Sequence, residues 1–292
     1  MSGFLFPLRG ESAFLMALNA ALLSSTLMAF LGFVDDFLDV PWRIKMVAPC
    51  VGSLPLLLTY YLMSDLTVVV VPLPFRAVLG HTIDLGLLYY LYMLMLAVFL
   101  SNAVNILAGV NGVEAGQSAV IAAACLVHNL LVLRDPRSDD TLRRQHLLSV
   151  FVLAPFLAVS FGLLRHNFFP ARVFVGDTYT TFAGMTLAVA AILGHYSKTL
   201  MLFCVPQVVN FVMSLPQLFR LFGYTCPRHR IPSFNARTGR LESSRNLTLL
   251  NLTLELLGSM SERALVLNVL GFQVACCVAG LVVRHVVADS FF

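Results

Sequence analysis

Adjacent carboxylates, Asp35 and Asp36, close a long apolar stretch behind Phe33-Val34, with Asp39 one turn later and Lys45 nearby. An acid held at mid-bilayer costs about 2.5–3.5 kcal/mol on insertion scales. Such a pair marks either a functional site or a solvated helix end. Asn102 to Gln117 (NAVNILAGVNGVEAGQ) forms a second polar cluster. Asn102 and Asn105 are three residues apart and share a helix face. Gly109, Gly112 and Gly116 let the backbone come close to a ligand. Carboxamide oxygens suit magnesium, a hard cation that takes oxygen donors and keeps several waters. The same amides also suit contacts between spans. Phe174-Val175-Gly176-Asp177 is the third cluster. Asp177 is placed to complete a magnesium site with Asn105, or to cap a helix N-terminus, while Phe174 offers a stacking ring. Arg228, His229 and Arg230, between Pro227 and Pro232, supply donors that suit phosphate.

The elements that position these clusters are apolar. The chain has 292 residues, of which 59% are hydrophobic and 12% charged, whereas soluble domains carry about a quarter charged residues. This composition excludes a soluble globule and predicts an all-α polytopic membrane protein. Spans of roughly 20 residues are expected at Ser12–Val34, Ile44–Met63, Leu85–Val104, Gly116–Leu133, Leu147–Leu164, Val173–Gly194, Thr199–Phe222 and Ala264–Val287, eight in all. The four clusters then lie at alternate joints and share one membrane face. Two extramembrane loops interrupt the spans. Asp65 to Asp84, with its valine run, and Arg230 to Ser244, turning at Arg237-Thr238-Gly239, each predict a short β-hairpin. Asn246 to Gly258 predicts a helix too short to cross, suited to the interface. Residues 1–292 read as a single transmembrane domain that includes the loop 223–263.

The six cysteines show no paired spacing, so neither a disulfide framework nor a zinc site is expected, and no cleavable signal stands out in Met1 to Glu11. Two sequons, at Asn246 and Asn251, read as chance matches or helix-surface residues. Trp42 reads as an interfacial anchor. The net charge of +4 gives no reason to expect a nucleic-acid partner. Arg43, Lys45, Arg165, Arg172 and the arginines from Arg228 to Arg263 fall in loops on the cluster side, which the positive-inside rule places in the cytosol. Arg134 to Gln145, with four arginines on the other face, opposes that orientation.

FLGFVDD (Phe30 to Asp36), NILAGVNGVEAGQ, RVFVGDT (Arg172 to Thr178), LGHYSKT (Leu193 to Thr199) and CPRHRIP, in this order, resemble the polyprenyl-phosphate N-acetylhexosamine-1-phosphate transferase family, and its eukaryotic branch most closely. The resemblance implies transfer of N-acetylglucosamine 1-phosphate from UDP-N-acetylglucosamine to dolichyl phosphate, releasing UMP. It implies this reaction at the cytosolic face of the endoplasmic reticulum membrane, as the first step of the dolichol-linked oligosaccharide used in protein N-glycosylation. It further implies that Asn105 and Asp177 hold Mg2+, that Lys45 contacts the phosphates, and that Asn102, Asn105, Ile106 and their neighbours from Val98 onward flank the lipid phosphate. Asn111 and Phe174 would address uracil, Gly109 would join the substrate-binding set, and Arg228, His229 and Arg230 would bind pyrophosphate and sugar. Asp35 and Asp36 join the catalytic set, expected to position lysine, water or metal shell. A homodimer in the bilayer is what the family suggests. The resemblance departs at Asp39, where the eukaryotic pattern has asparagine. The family also has about two spans preceding the first one here, whose loop contributes nucleotide-sugar contacts. A truncated, inactive family member is therefore the alternative within the family, and a transporter or channel the alternative outside it.

Overall fold

The computed structural model describes residues 10–38, 40–63, 67–71, 73–220, 223 and 231–287. In chain order the elements are α1 (Gly10–Leu38), α2 (Trp42–Gly52), α3 (Leu54–Met63), β1 (Val68–Val70), α4 (Arg76–Leu79), β2 (Thr82–Asp84), α5 (Leu87–Ile106), α6 (Val113–Arg134), α7 (Asp140–Asn167), α8 (Asp177–Leu193), α9 (Ser197–Phe203), α10 (Val205–Leu218), β3 (Ser233–Asn235), β4 (Arg240–Glu242), α11 (Leu249–Leu257) and α12 (Glu262–Val282). The chain is mostly helical, as expected. Both expected hairpins are present as two-stranded antiparallel pairs, β1 with β2 and β3 with β4.

Among the described residues, six helices or helix pairs are long and apolar enough to cross a membrane, and α9 with α10, bent by 70°, makes a seventh if counted as one span. The remaining expected span, Val173–Gly194, the sixth in chain order, is longer than the helix it forms. Helix α8 begins only at Asp177 and holds 17 residues. The bend between α9 and α10 follows from sequence, because Pro206 stands in the first turn of α10 and lacks the N–H that would continue α9. Helices α2 and α3 meet at Ser53, between Pro49 and Pro55, without so sharp a bend, and together make one span, Arg43–Met63.

Helix α8 is the axis of the bundle, packed against α1, α5 and α7. Its residues from Ala183 to Leu193 are all buried, and many are small. Small residues let membrane helices approach closely. At Gly184 a Cβ would collide with the backbone of Leu100 and Ser101 on α5, and at Gly32 with the first turn of α8. The outer faces carry exposed Leu22, Phe30, Leu58, Phe151 and Val159, an apolar exterior suited to lipid. A second, smaller core gathers Leu107, Val110 and Val113 with Leu241, Leu249, Leu250, Leu254, Leu265 and Val266. It seats the α5–α6 joint on β4, α11 and α12. The two sequon asparagines belong to this region and are buried, not helix-surface residues, with Asn251 fully enclosed. Asn251 is tied to Thr248 and Ser244.

Candidate active site

The end of α1, the start of α2, the end of α5 and the start of α8 converge on a polar cluster. Lys45 Nζ lies 2.8 Å from Asp35 Oδ2 and 3.3 Å from Asp177 Oδ2. Asn105 Nδ2 donates to Asp177 Oδ1 at 2.7 Å. The other oxygen of Asp35 accepts from the Val40 backbone N–H at 3.0 Å, which folds the α1–α2 turn so that Lys45 faces back. Four residues from three sequence clusters therefore meet, as the parity of the joints requires.

Asp36 does something that its position in the sequence did not reveal. Its carboxylate accepts from the backbone N–H of Asp177 at 2.7 Å, from the N–H of Thr178 at 2.9 Å, and from the Thr178 hydroxyl. It is thus the N-terminal cap of α8, supplied by another helix. The first turn of a helix leaves N–H groups unsatisfied and favours negative charge. Asp177, expected as a possible cap, is instead the first helical residue, and Gly176 holds the cap position. A Cβ on Gly176 would run into the Asp36 carboxylate. That contact explains why glycine precedes Asp177, and it leaves the Asp177 side chain free to face Lys45 and Asn105.

The α5–α6 joint is fixed by side chains that accept its backbone N–H groups one by one. Gly109 N donates to Glu114 at 3.1 Å, Asn111 N to Glu262 at 2.9 Å, and Gly112 N to Asn167 at 2.8 Å. Gln117 closes the other side by donating to the carbonyls of Val104 and Leu107. Gly109 and Gly112 have φ of 118° and 97°, which glycine alone adopts readily. A cavity of about 240 Å³ opens beside this joint, lined by Gly109, Asn111, Glu114, Asn167, Phe174 and Glu262, among others. The Phe174 ring is 87% exposed and available for stacking.

Of the sequence candidates, Asp35, Lys45, Asn105 and Asp177 meet in one cluster, with Asp36 behind it. Gly109, Asn111 and Phe174 meet in the cavity. Asn102 does not join either group; its amide donates back to Val98 O on its own helix. Ile106 is half-buried at the last turn of α5. Arg228, His229 and Arg230 lie outside the described residues, as do Asp39 and Cys226. Ile231, which follows them, lines the cavity against Gly109. Sequence reasoning missed Glu262, Asn167 and the role of Glu114. Glu114 was visible within the motif, whereas Glu262 carried only the signal of an acid opening a helix after Ser261.

Asn105 and Asp177 fit a magnesium ion by donor type, since both offer oxygen and the ion keeps several waters. The local charge points the same way. Asp35 and Asp177 face one ammonium, Lys45, with the Asp36 carboxylate behind them on the first turn of α8, so the cluster has room for further positive charge. Among the described residues, every Asp or Glu within a spanning helix lies near a helix end. That differs from the mid-span acids expected of an ion path.

The glycosyl transferase family 4 model matches residues 18–195, more than half of the chain. This chain belongs to that family. The UDP-N-acetylglucosamine–dolichyl-phosphate N-acetylglucosaminephosphotransferase of Dictyostelium discoideum is 46% identical to it, over 97% of this chain and 71% of the relative. The enzyme of the same name from Schizosaccharomyces pombe is 41% identical over 94% of this chain and 70% of the relative. The Saccharomyces cerevisiae enzyme is 38% identical over the whole of this chain and 72% of its own length. As a member of family 4 the chain is a transferase. All four bonded residues of the polar cluster lie within the matched segment, as do Asp36, Asn111 and Phe174.

Proposed function

We propose that this chain transfers N-acetylglucosamine 1-phosphate from UDP-N-acetylglucosamine to dolichyl phosphate, with Mg2+, at the cytosolic face of the endoplasmic reticulum membrane. It would do so as one transmembrane domain of eight spans, with α8 as the short central one. The observation that carries this reading is the meeting of Asp35, Lys45, Asn105 and Asp177, beside a cavity holding Asn111 and Phe174, in a chain related to enzymes of that name.

In the reaction, an oxygen of dolichyl phosphate forms a bond to the sugar-linked phosphorus of the donor. The bond from that phosphorus to the bridging oxygen breaks, and UMP leaves with the electron pair. A phosphate monoester has a second pKa near 6 and is mostly a dianion at pH 7, so the acceptor needs little deprotonation. The obstacle is repulsion between anions. Lys45 offers its ammonium to the phosphates, with Asp35 holding the lysine in place. Asp36 holds the start of α8, and thereby Asp177, at the reacting centre. Bound magnesium, held by Asn105 and Asp177, would supply positive charge to the phosphate oxygens. Phe174 stacks on the base, and Arg228, His229 and Arg230 engage pyrophosphate and sugar.

The test is UMP release by the purified chain in lipid, with UDP-N-acetylglucosamine and dolichyl phosphate supplied. Acceptor-dependent UMP formed together with the lipid diphosphate sugar is expected. Absence of turnover by folded, membrane-inserted protein would reject the reading.

A further inference from the structure

Glu262 opens α12 and reaches across to the α5–α6 joint, 151 positions away in sequence. One of its oxygens, Oε1, accepts twice from the same residue, from Asn111 N at 2.9 Å and from Asn111 Nδ2 at 2.8 Å. An ionised carboxylate only accepts. The Asn111 amide therefore has its orientation decided for it, with NH2 toward Glu262 and Oδ1 away. Among the described residues, none donates to that Oδ1. Both residues line the cavity beside Phe174.

We propose that Glu262 is a positioning residue for base selectivity: by holding Asn111 as a hydrogen-bond acceptor, it makes the cavity select uridine over cytidine nucleotides. This rests on the reading that Asn111 and Phe174 address the base. A pyrimidine stacked on Phe174 presents its N3 edge, and the two bases differ there in sign. Uracil carries an N–H at N3, and cytosine carries a lone pair. An acceptor facing N3 takes the uracil proton and repels the cytosine nitrogen. A polar site that pairs with one partner rejects the other because the mismatch leaves desolvated groups unpaired. Were the Asn111 amide turned over, its NH2 would favour the wrong base. Ser261 accepts from Ala264 N and fixes the start of α12. The Glu262 carboxylate is therefore anchored independently of the ligand.

The experiment compares kcat/KM for UDP- and CDP-N-acetylglucosamine, with dolichyl phosphate as acceptor, in the wild type and five variants. E262A is expected to lower the uridine-to-cytidine ratio by about tenfold or more, and E262Q, which keeps an acceptor, to retain most of it. N111D sets two carboxylates against each other and is expected to lose activity with both nucleotides. In the double variant N111D/E262Q, the amide introduced at position 262 would donate to the carboxylate introduced at position 111, whose second oxygen remains an acceptor. The uridine preference is expected to return to within a few-fold of the wild type. A ratio unchanged in E262A, or a double variant no more uridine-selective than E262A, would overturn the proposal. A purely structural role would lower both nucleotides alike and give no recovery in the double variant. N111A separates this failure from that of the underlying reading. If N111A keeps the wild-type ratio, Asn111 does not read the base at all; if N111A loses the ratio while E262A keeps it, only the role of Glu262 falls.

Discussion

The two ends of α8 carry polar clusters of opposite character, separated by about 24 Å at 1.5 Å per residue. At the Asp177 end, two carboxylates meet a lysine and a third caps the helix, with the Lys45 and Asp177 side chains 30% and 24% exposed. At the other end, His146, Asn129, Ser149 and Tyr196 form a buried chain of neutral groups. His146 Nδ1 donates to Asn129 Oδ1 at 2.7 Å, Asn129 Nδ2 donates to Ser149 Oγ at 2.8 Å, and Ser149 pairs with the Tyr196 hydroxyl at 2.7 Å. His128 packs against the His146 and Tyr196 rings and pairs with His285. Each bond of the chain from His146 to Tyr196 is made within the bundle, and among the described residues only His128 Nε2 beside it is buried without a partner in this cluster. The charged cluster differs: its acids outnumber its cation and it opens outward. A cluster whose groups carry no net charge and bond mainly to one another holds the fold, while one left with uncompensated charge at the surface is built to meet a ligand.

That contrast breaks first at Asp177. D177A is expected to lower kcat for UMP release by at least about 1000-fold, the scale of losing a principal electrostatic group, with the melting temperature little changed. K45A comes next, at about 100-fold, and K45R is expected to recover only part of that because a planar guanidinium does not replace a compact ammonium. D36A removes the inter-helix cap, which is worth about 0.5–2 kcal/mol of stability. Its activity should fall about tenfold through misplacement of Asp177, so thermal unfolding and turnover should change together. The smallest catalytic effect belongs to the far cluster. Y196F is expected to cost about 1 kcal/mol of stability, seen by thermal unfolding, and to leave kcat/KM unchanged. A catalytic defect in Y196F larger than that of D36A would erase the distinction between the two ends.

The charged end was legible in the sequence because unpaired charge among apolar residues is conspicuous, and because parity put Asp35, Asn105 and Asp177 on one face. What the sequence hid is how each acid is used. Asp35 and Asp36 are neighbours with the same side chain, yet one turns to Lys45 and the other to the amides of α8. That division depends on the α1–α8 packing angle, which no local pattern encodes. Glu262 was equally hidden, since its partner lies 151 residues away. Of the far cluster, the sequence marked Tyr196 alone, within the LGHYSKT motif, and gave it no role. His128, His146 and Tyr196 are single polar residues in apolar helices, and only the packed bundle shows that they meet. The sixth expected span is longer than its helix for a local reason: Val173 to Gly176 is apolar but lies outside helix α8.

The most direct test of the charged end as a magnesium-assisted phosphate-transfer centre is the magnesium dependence of UMP release by metal-stripped protein. The wild type should show no turnover in chelator and saturable recovery with Mg2+. N105A should need about tenfold more Mg2+ for half-maximal rate, the scale of weakening a metal site, while Y196F follows the wild-type curve. Turnover that persists in chelator, or an N105A curve superimposable on the wild type, would contradict the account.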